Sequence, residues 1–489
     1  MINLSATIAV QPQEERSEVI MFSRTRDLDM CNGPLLSTIL VFALPIMAMN
    51  ILQLMFNAAD MMVVGRFASS EALAAVGATG YLINLIVNLF MGLSVGTSVV
   101  LAQDYGAGKS HAVRSTVHTS IAISMIGGVT VMILGLALCE PLLNMMGTPD
   151  DIIHLSVLYM RIYFLGVPAS MVYNFGAAIL RATGNSHTPM FILVLTGIIN
   201  VLLNVFFVIA LHMSVDGVAL ATVISQYLAL VLIMTSLIRN ESAICFRFKQ
   251  LRVDGKKLKD IVRIGLPAGL QALLFSLSNV LIQSAVNSFG SVMVAASSAA
   301  DNVEGFLDTT LNAYYNATVI ITGQNMGAKK YDRIDSIARV CTVLIFATWI
   351  ILGGAILIFG KTLLGFYTPN PEVVELGMLR LKLLMGVYFA NGAMTVFPGL
   401  TRGMGYSILP MLCTLGGVCI MRVVWLVTVF AWYPTMMVLF ACYPVTWAFT
   451  GLGQVLIFFY VRRQVHKRAA LEGEAFKNLD SAQSCQMQI

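Results

Sequence analysis

The sequence predicts an all-α integral membrane protein whose twelve transmembrane helices form two pseudo-symmetric six-helix bundles. Three observations carry that prediction: charge is scarce, it is missing in long blocks, and the second half of the chain repeats the first. Of the 489 residues, 57% are hydrophobic and 11% are charged, against roughly 25% charged in an ordinary soluble domain. Uncharged runs cover 30–59, 72–103, 162–180, 217–238, 264–300 and 423–461. A helix needs about 20 residues to cross a hydrocarbon layer about 30 Å thick. The apolar runs are continuous, not alternating, which excludes an outer-membrane barrel. Lipid cannot satisfy backbone polar groups, so the runs must be helices.

The predicted spans are 34–62, 74–101, 115–138, 153–178, 189–210, 216–238, 262–287, 295–321, 337–359, 373–397, 408–430 and 436–460. They divide the chain into a cytoplasmic N-terminal tail (1–33), an N-lobe (34–238), a basic cytoplasmic linker (239–261), a C-lobe (262–460) and a cytoplasmic C-terminal tail (461–489). The N-terminal stretch carries Glu14, Glu15, Arg16 and Glu18 and lacks the apolar core of a cleavable signal. Lys and Arg fix the orientation. They crowd the linker (Arg247, Lys249, Arg252, Lys256, Lys257), the even-numbered connections (Lys109, Arg114, Lys329, Lys330, Arg333) and the C-terminal tail (Arg462, Arg463, Lys467, Arg468). The opposite loops carry little beyond Arg66 and Lys361. Positive loops stay inside, so both termini are expected in the cytoplasm of a multi-pass protein of the inner (plasma) membrane. The basic linker reads as a topology determinant that anionic lipids can touch, and no nucleic-acid partner is expected.

The repeat is explicit. Residues 103–109 read QDYGAGK and residues 324–330 read QNMGAKK, and the same offset of 221 pairs Arg181, Gly184 and Pro189 with Arg402, Gly405 and Pro410. Pro45 and Asn57 pair with Pro267 and Asn279 at an offset of 222. Six spans per copy is an even number, so both copies enter the membrane the same way and their relating axis lies along the membrane normal. Parallel repeats with a path between them are a recurring transporter design.

Polar residues within the spans are the candidate sites. The first span sets Asn50, Gln53, Asn57 and Asp60 on one helix face. Asn84 with Asn88, and Asn200 with Asn204, add two amide pairs each four apart. Asp60 is the one acid among these amides, expected near the extracellular end of its span. It reads either as an ion-coupling group or as a helix-end acid facing water. Span seven offers Asn279, Gln283 and Asn287 on one face, and span eight Asp301, Glu304 and Asp308 on another. Those acids suit a cationic substrate or a second coupling site, or else some of them, Asp301 above all, face external water near the start of the span. Arg161, Arg380, Lys382 and Arg422 are the cations within apolar surroundings, and Arg422 serves either lobe packing or a substrate path. The 29 methionines either line a pliable pocket or simply pack. Eight scattered cysteines and six histidines form no ligand pattern, so neither a metal nor another cofactor is expected.

With these residues in place, the chain resembles the multidrug and toxic compound extrusion (MATE) family, in its prokaryotic DinF-like and NorM-like branches. The likeness runs from about residue 34 to 460. It is carried by Pro45, Asn57, Asp60, Gly65, Gln103 to Gly108, Arg181 to Gly184 with Pro189, Gly217 to Gln226, Gly265 to Pro267 and Gln324 to Ala328. The resemblance implies a secondary exporter of organic cations, amphipathic drugs or metabolites, not an enzyme. Export would run by antiport with H+ or Na+ through alternating access, and the chain is expected to work as a monomer. Asp60 matches the first-span acid used in coupling, with Asn57, Asn200 and Asn204 beside it. Gln53, Asn84, Asn88, Asn279, Gln283, Glu304, Asp308 and Arg422 are the candidate substrate contacts. The chain departs from the family where an acid often follows the fifth-span Asn by four residues, since Asn204 stands there. A lipid or lipid-linked precursor flippase of the wider group is the alternative, though such a cavity would be strongly cationic.

Overall fold

The computed structural model describes residues 28–67, 69–146 and 148–486. Among these, twelve helical segments follow one another. The first half holds α1 (Leu35–Phe67), α2 (Ser70–Gly106), α3 (Ser110–Met145), α4 (Asp150–Ala182), α5 (His187–Ala210) and α6 (Val215–Ile238). The second holds α7 (Gly255–Asn287), α8 (Ser291–Gly327), α9 (Tyr331–Gly365), α10 (Pro371–Met385 and Tyr388–Gly403), α11 (Ile408–Phe430) and α12 (Met436–Gln486). Nine of them are long and apolar enough to cross a membrane by length and composition alone. Large apolar side chains point outward along them, as Ile350, Ile351 and Ile358 do on α9, which only a lipid surround accommodates.

The ends follow from local chemistry. Ser69 accepts from the Ala72 amide and opens α2, and Asn370 accepts from the Glu372 amide with Pro371 at the first turn of α10. Gly184 after α4 and Gly405 after α10 both hold positive φ, at 103° and 92°, as equivalent positions of the repeat should. Gly108 at φ 68° has Lys329 at φ 57° as its counterpart, so the second copy keeps the left-handed turn without the glycine. Two boundaries differ from expectation. The linker ends at Asp254, not at 261, because its carboxylate accepts from the amides of Lys256 and Lys257 and starts α7 early. Those first turns are charged, so hydropathy does not see them. Beyond residue 460, α12 continues as helix to Gln486. Residues 1–27 of the expected N-terminal tail lie outside the described residues.

The two halves meet along α1, α2, α7 and α8. At the face that bears the linker they share one core. Ile39, Phe42 and Ala43 of α1 and Val99 to Ala102 of α2 cluster there with Ile261 and Ile264 of α7 and Val319 to Ile321 of α8. Glycine permits the approach. A Cβ on Gly92 would lie 2.2 Å from the Gly269 nitrogen, and one on Gly96 2.3 Å from the Ile261 carbonyl. Toward the other face the buried residues group within a single half: Val63, Ala75, Val131, Met160 and Val215 in the first, and Ile282, Met293, Leu439 and Phe440 in the second. The halves thus share their core at the linker face, while toward the opposite face the buried clusters are separate.

Candidate functional site

The first half builds its site from three helices. Spacing of four places Asn200 and Asn204 of α5 one above the other, both buried, facing Asp60 of α1. Asn204 Nδ2 donates to Asp60 Oδ1 in a short hydrogen bond. With its amide nitrogen turned to the carboxylate, Asn200 donates to the same oxygen at 3.0 Å, and its own oxygen accepts from the Thr222 amide of α6 at 3.3 Å. Asn204 Oδ1 is buried and has no hydrogen-bond partner among the described residues. An orphaned buried carbonyl of this kind is uncommon and costly. Asn57 and Gln53 lie on the same helix but are exposed, and neither joins this cluster. The side chains of Asn84 and Asn88 lie outside the described residues.

The second half is built on α8 and α10. Arg380 is 3% exposed and forms ion pairs with Asp301 and, at 3.6 Å, with Glu304. Its guanidinium also lies over the rings of Phe440 and Tyr443. Asp308 is exposed and has one carboxylate oxygen held, by Tyr388 Oη at 2.6 Å and Asn391 Nδ2 at 3.1 Å. Helix α10 breaks at Gly386 and Val387, between Arg380 on one side and Tyr388 with Asn391 on the other. Trp349 Nε1 donates to the Met385 carbonyl at 2.6 Å, so the break costs little in unsatisfied backbone. Acids two turns apart on α8 are therefore gripped by two separate pieces of α10.

Arg422 is fully buried on α11. It donates to Asn279 Oδ1 at 2.6 Å and lies over the rings of Tyr443 at 4.6 Å and Phe275 at 5.5 Å. Gln283 instead donates to Asn287 at 3.0 Å. Arg161 and Lys382 are not interior cations as expected: both are exposed, and Arg161 pairs with Glu140 at 3.1 Å. Sequence reasoning missed Tyr388 and Asn391, whose i, i+3 spacing just after Gly386 was the available signal.

The family model for MatE matches residues 45–206 and, a second time, residues 267–428. The chain belongs to the MATE family. The double match restates the repeat in the family's own terms, and this MATE protein is thus a multi-pass membrane transporter and not an enzyme. Among curated relatives, the probable multidrug resistance protein YoeA of Bacillus subtilis (strain 168) is 27% identical over 383 residues, covering 76% of this chain and 81% of the relative. YpnP from the same organism, also a probable multidrug resistance protein, is 26% identical over 377 residues, covering 77% and 84%. A solved MATE transporter in an outward-facing conformation superposes with a TM-score of 0.83 at 22% identity, covering 91% of this chain and 98% of that one, which establishes the twelve-helix MATE fold. Among the described residues no group of three His, Cys, Asp or Glu side chains is placed to hold a metal ion.

Proposed function

We propose that this MATE protein exports organic cations and amphipathic drugs or metabolites by antiport with inward-moving H+ or Na+, working as a monomer with both termini in the cytoplasm. The observation that carries the reading is the orphaned Asn204 Oδ1 beside the Asp60 carboxylate. Two amide nitrogens point at one carboxylate oxygen while an amide oxygen is left over. A cation at Asp60, whether H+ or Na+, gives that oxygen something to accept from or to ligate. The same event cancels the charge-assisted hold of Asn200 and Asn204 on Asp60, which ties α1 to α5. Loading is thus converted into release of α1, a helix that also packs against α8 of the second half. In the second half the exposed Asp308 offers negative charge and is the first contact for a cationic substrate, with the buried Glu304 one turn before it on α8.

The test is ethidium efflux from right-side-out vesicles under separately imposed H+ and Na+ gradients. One of the two gradients should drive extrusion by the parent, and Asp60→Asn should abolish the gradient dependence. Unchanged gradient-driven efflux by Asp60→Asn removes Asp60 from coupling. Failure of both gradients with the parent removes antiport itself.

A further inference from the structure

On the linker face, away from Asp60, a depression of about 410 Å³ lies between the start of α3 and the linker. Its floor is fixed. Ser115 Oγ donates to Asp254 Oδ2 at 2.8 Å, the Asp254 amide donates to Thr119 Oγ1 at 3.0 Å, and the Arg247 amide donates to His118 Nε2 at 3.2 Å. His118 is 2% exposed, stacks on Phe246 and turns its Nδ1 to the Arg114 carbonyl at 2.8 Å. These contacts hold the linker against α3 and give the depression a defined shape.

The rim is cationic. Arg114, Lys249, Arg252 and His111 line it, all exposed, and none of the four side chains makes a hydrogen bond or ion pair among the described residues. The nearby acids are already engaged. Asp254 is held by Ser115 and by the amides of Lys256 and Lys257, and Asp104 by Lys257 at 2.5 Å and Thr116 at 2.8 Å. Other cations of this face have protein partners: Lys330 bonds Asn32, Arg333 the Gly33 carbonyl, and Arg462 Asp335. Three permanent positive charges around one hollow, left without counter-charge, repel one another and favour an anion between them. Two guanidiniums and an ammonium match the tetrahedral oxygens of a phosphate. We propose that this depression is a binding site for a phosphate-bearing anion, supplied either as the headgroup of an anionic phospholipid or as a soluble phosphate compound. Occupancy would cross-link α3 of the first half to the segment that leads into α7 of the second.

Native mass spectrometry of the purified full chain in neutral detergent tests this with two probes, phosphatidylglycerol and inorganic pyrophosphate, against phosphatidylcholine as the neutral reference. The parent should retain at least one probe about tenfold more tightly than the triple variant Arg114→Gln/Lys249→Gln/Arg252→Gln, and its affinity should fall as NaCl rises. Removing three charges elsewhere on the same face, with Lys259→Gln/Arg463→Gln/Lys467→Gln, should leave the parent affinity unchanged. Retention of phosphatidylglycerol alone assigns a lipid headgroup, pyrophosphate alone a soluble ligand, and both the phosphate group itself. Equal losses in the two triple variants, equal retention by parent and rim variant, or no retention above phosphatidylcholine each overturn the site. Monodisperse elution and an unchanged Tm identify folded variants. If the rim triple fails that check, Arg252→Glu alone, at an exposed position, supplies the same comparison.

Discussion

Gln103 and Gln324, equivalent residues of the two copies, make the same hydrogen bond in opposite directions across the molecule. Gln103 Nε2 on α2 donates to the Gly403 carbonyl at the end of α10, and Gln324 Nε2 on α8 donates to the Ala182 carbonyl at the end of α4, each at 2.8 Å. Ala182 and Gly403 are themselves equivalent, at the offset of 221 that relates the two glutamines. The pair forms a reciprocal clasp between the halves at the linker face, and it satisfies helix-end carbonyls that would otherwise lack partners.

Removing either half of the clasp should ease the opening of that face. Gln103→Ala and Gln324→Ala are each expected to cost about 1 kcal/mol of the closed arrangement, with somewhat more for Gln324, whose bond is fully buried. Double electron–electron resonance between spin labels at Lys109 and Asp332 should show a longer-distance population in both variants. Distributions identical to the parent would mean that the clasp follows closure and does not hold it.

The glycines beside the clasp impose a harder constraint. A Cβ on Gly106 would sit 2.0 Å from the Gln324 carbonyl oxygen, and one on Gly327 1.9 Å from the Gln103 carbonyl oxygen. The obstructing atoms are backbone, so no rotamer change relieves them. Gly106→Val should force the linker face apart, seen as increased labelling of an introduced cysteine at Ala102 by a membrane-impermeant maleimide applied from that side. Parent-like labelling would show that α2 and α8 can separate locally without opening.

Arg380 supports a different expectation. Arg380→Met leaves Glu304, which is 7% exposed, without its ion-pair partner. Breaking a buried pair from one side costs about 3–5 kcal/mol. The loss here should fall at the lower end of that range, since Asp301 is half exposed and can hydrate. Adding Glu304→Gln to Arg380→Met should recover part of the lost Tm in detergent, whereas Glu304→Gln alone should cost less than Arg380→Met. A double variant no more stable than Arg380→Met would dissolve the pairing argument.

Docking of the linker should respond to acid through its Asp254 anchor. Hydrogen bonds from Ser115 and from the amides of Lys257 and Lys256 hold the Asp254 carboxyl below its ordinary value of 3.8. A depressed carboxylate contributes stability above its unfolded pKa and loses it as pH falls through the folded one. The share of docking that Asp254 supplies should therefore persist down to about pH 5 and be lost as pH falls below 4. Asp254→Ala should loosen it at every pH. Limited trypsin digestion at Arg247 and Arg252 near neutral pH reads this directly: Asp254→Ala should be cut faster than the parent, and equal rates would show that the carboxylate does not anchor the linker.

The helices were legible because lipid leaves the chain no other choice. The repeat was legible because QDYGAGK and QNMGAKK retain their glycines and glutamines at one spacing. Asn200 and Asn204 could be read as a pair from their separation alone. Their convergence on Asp60 could not, since it depends on how α1 packs against α5. The pairing of Arg380 with Asp301 spans 79 residues of sequence, and helical periodicity carries no information across that interval. The break in α10 escaped because Gly386 sits in an apolar run where membrane helices commonly tolerate glycine. Arg114 and Arg252 looked like ordinary inside-positive charges, and only the folded linker brings them to one hollow.

The break in α10 also sets a mechanical relation. Its second piece, Tyr388–Gly403, begins at the side chains that hold Asp308 and ends at the carbonyl that Gln103 grips. At 1.5 Å per residue this is a strut of about 24 Å, with Pro398 inside it and set off by the break from the piece before it. A ligand that pulls Asp308 away from Tyr388 and Asn391 therefore works one end of a pushrod whose other end is the seal on the far side of the membrane.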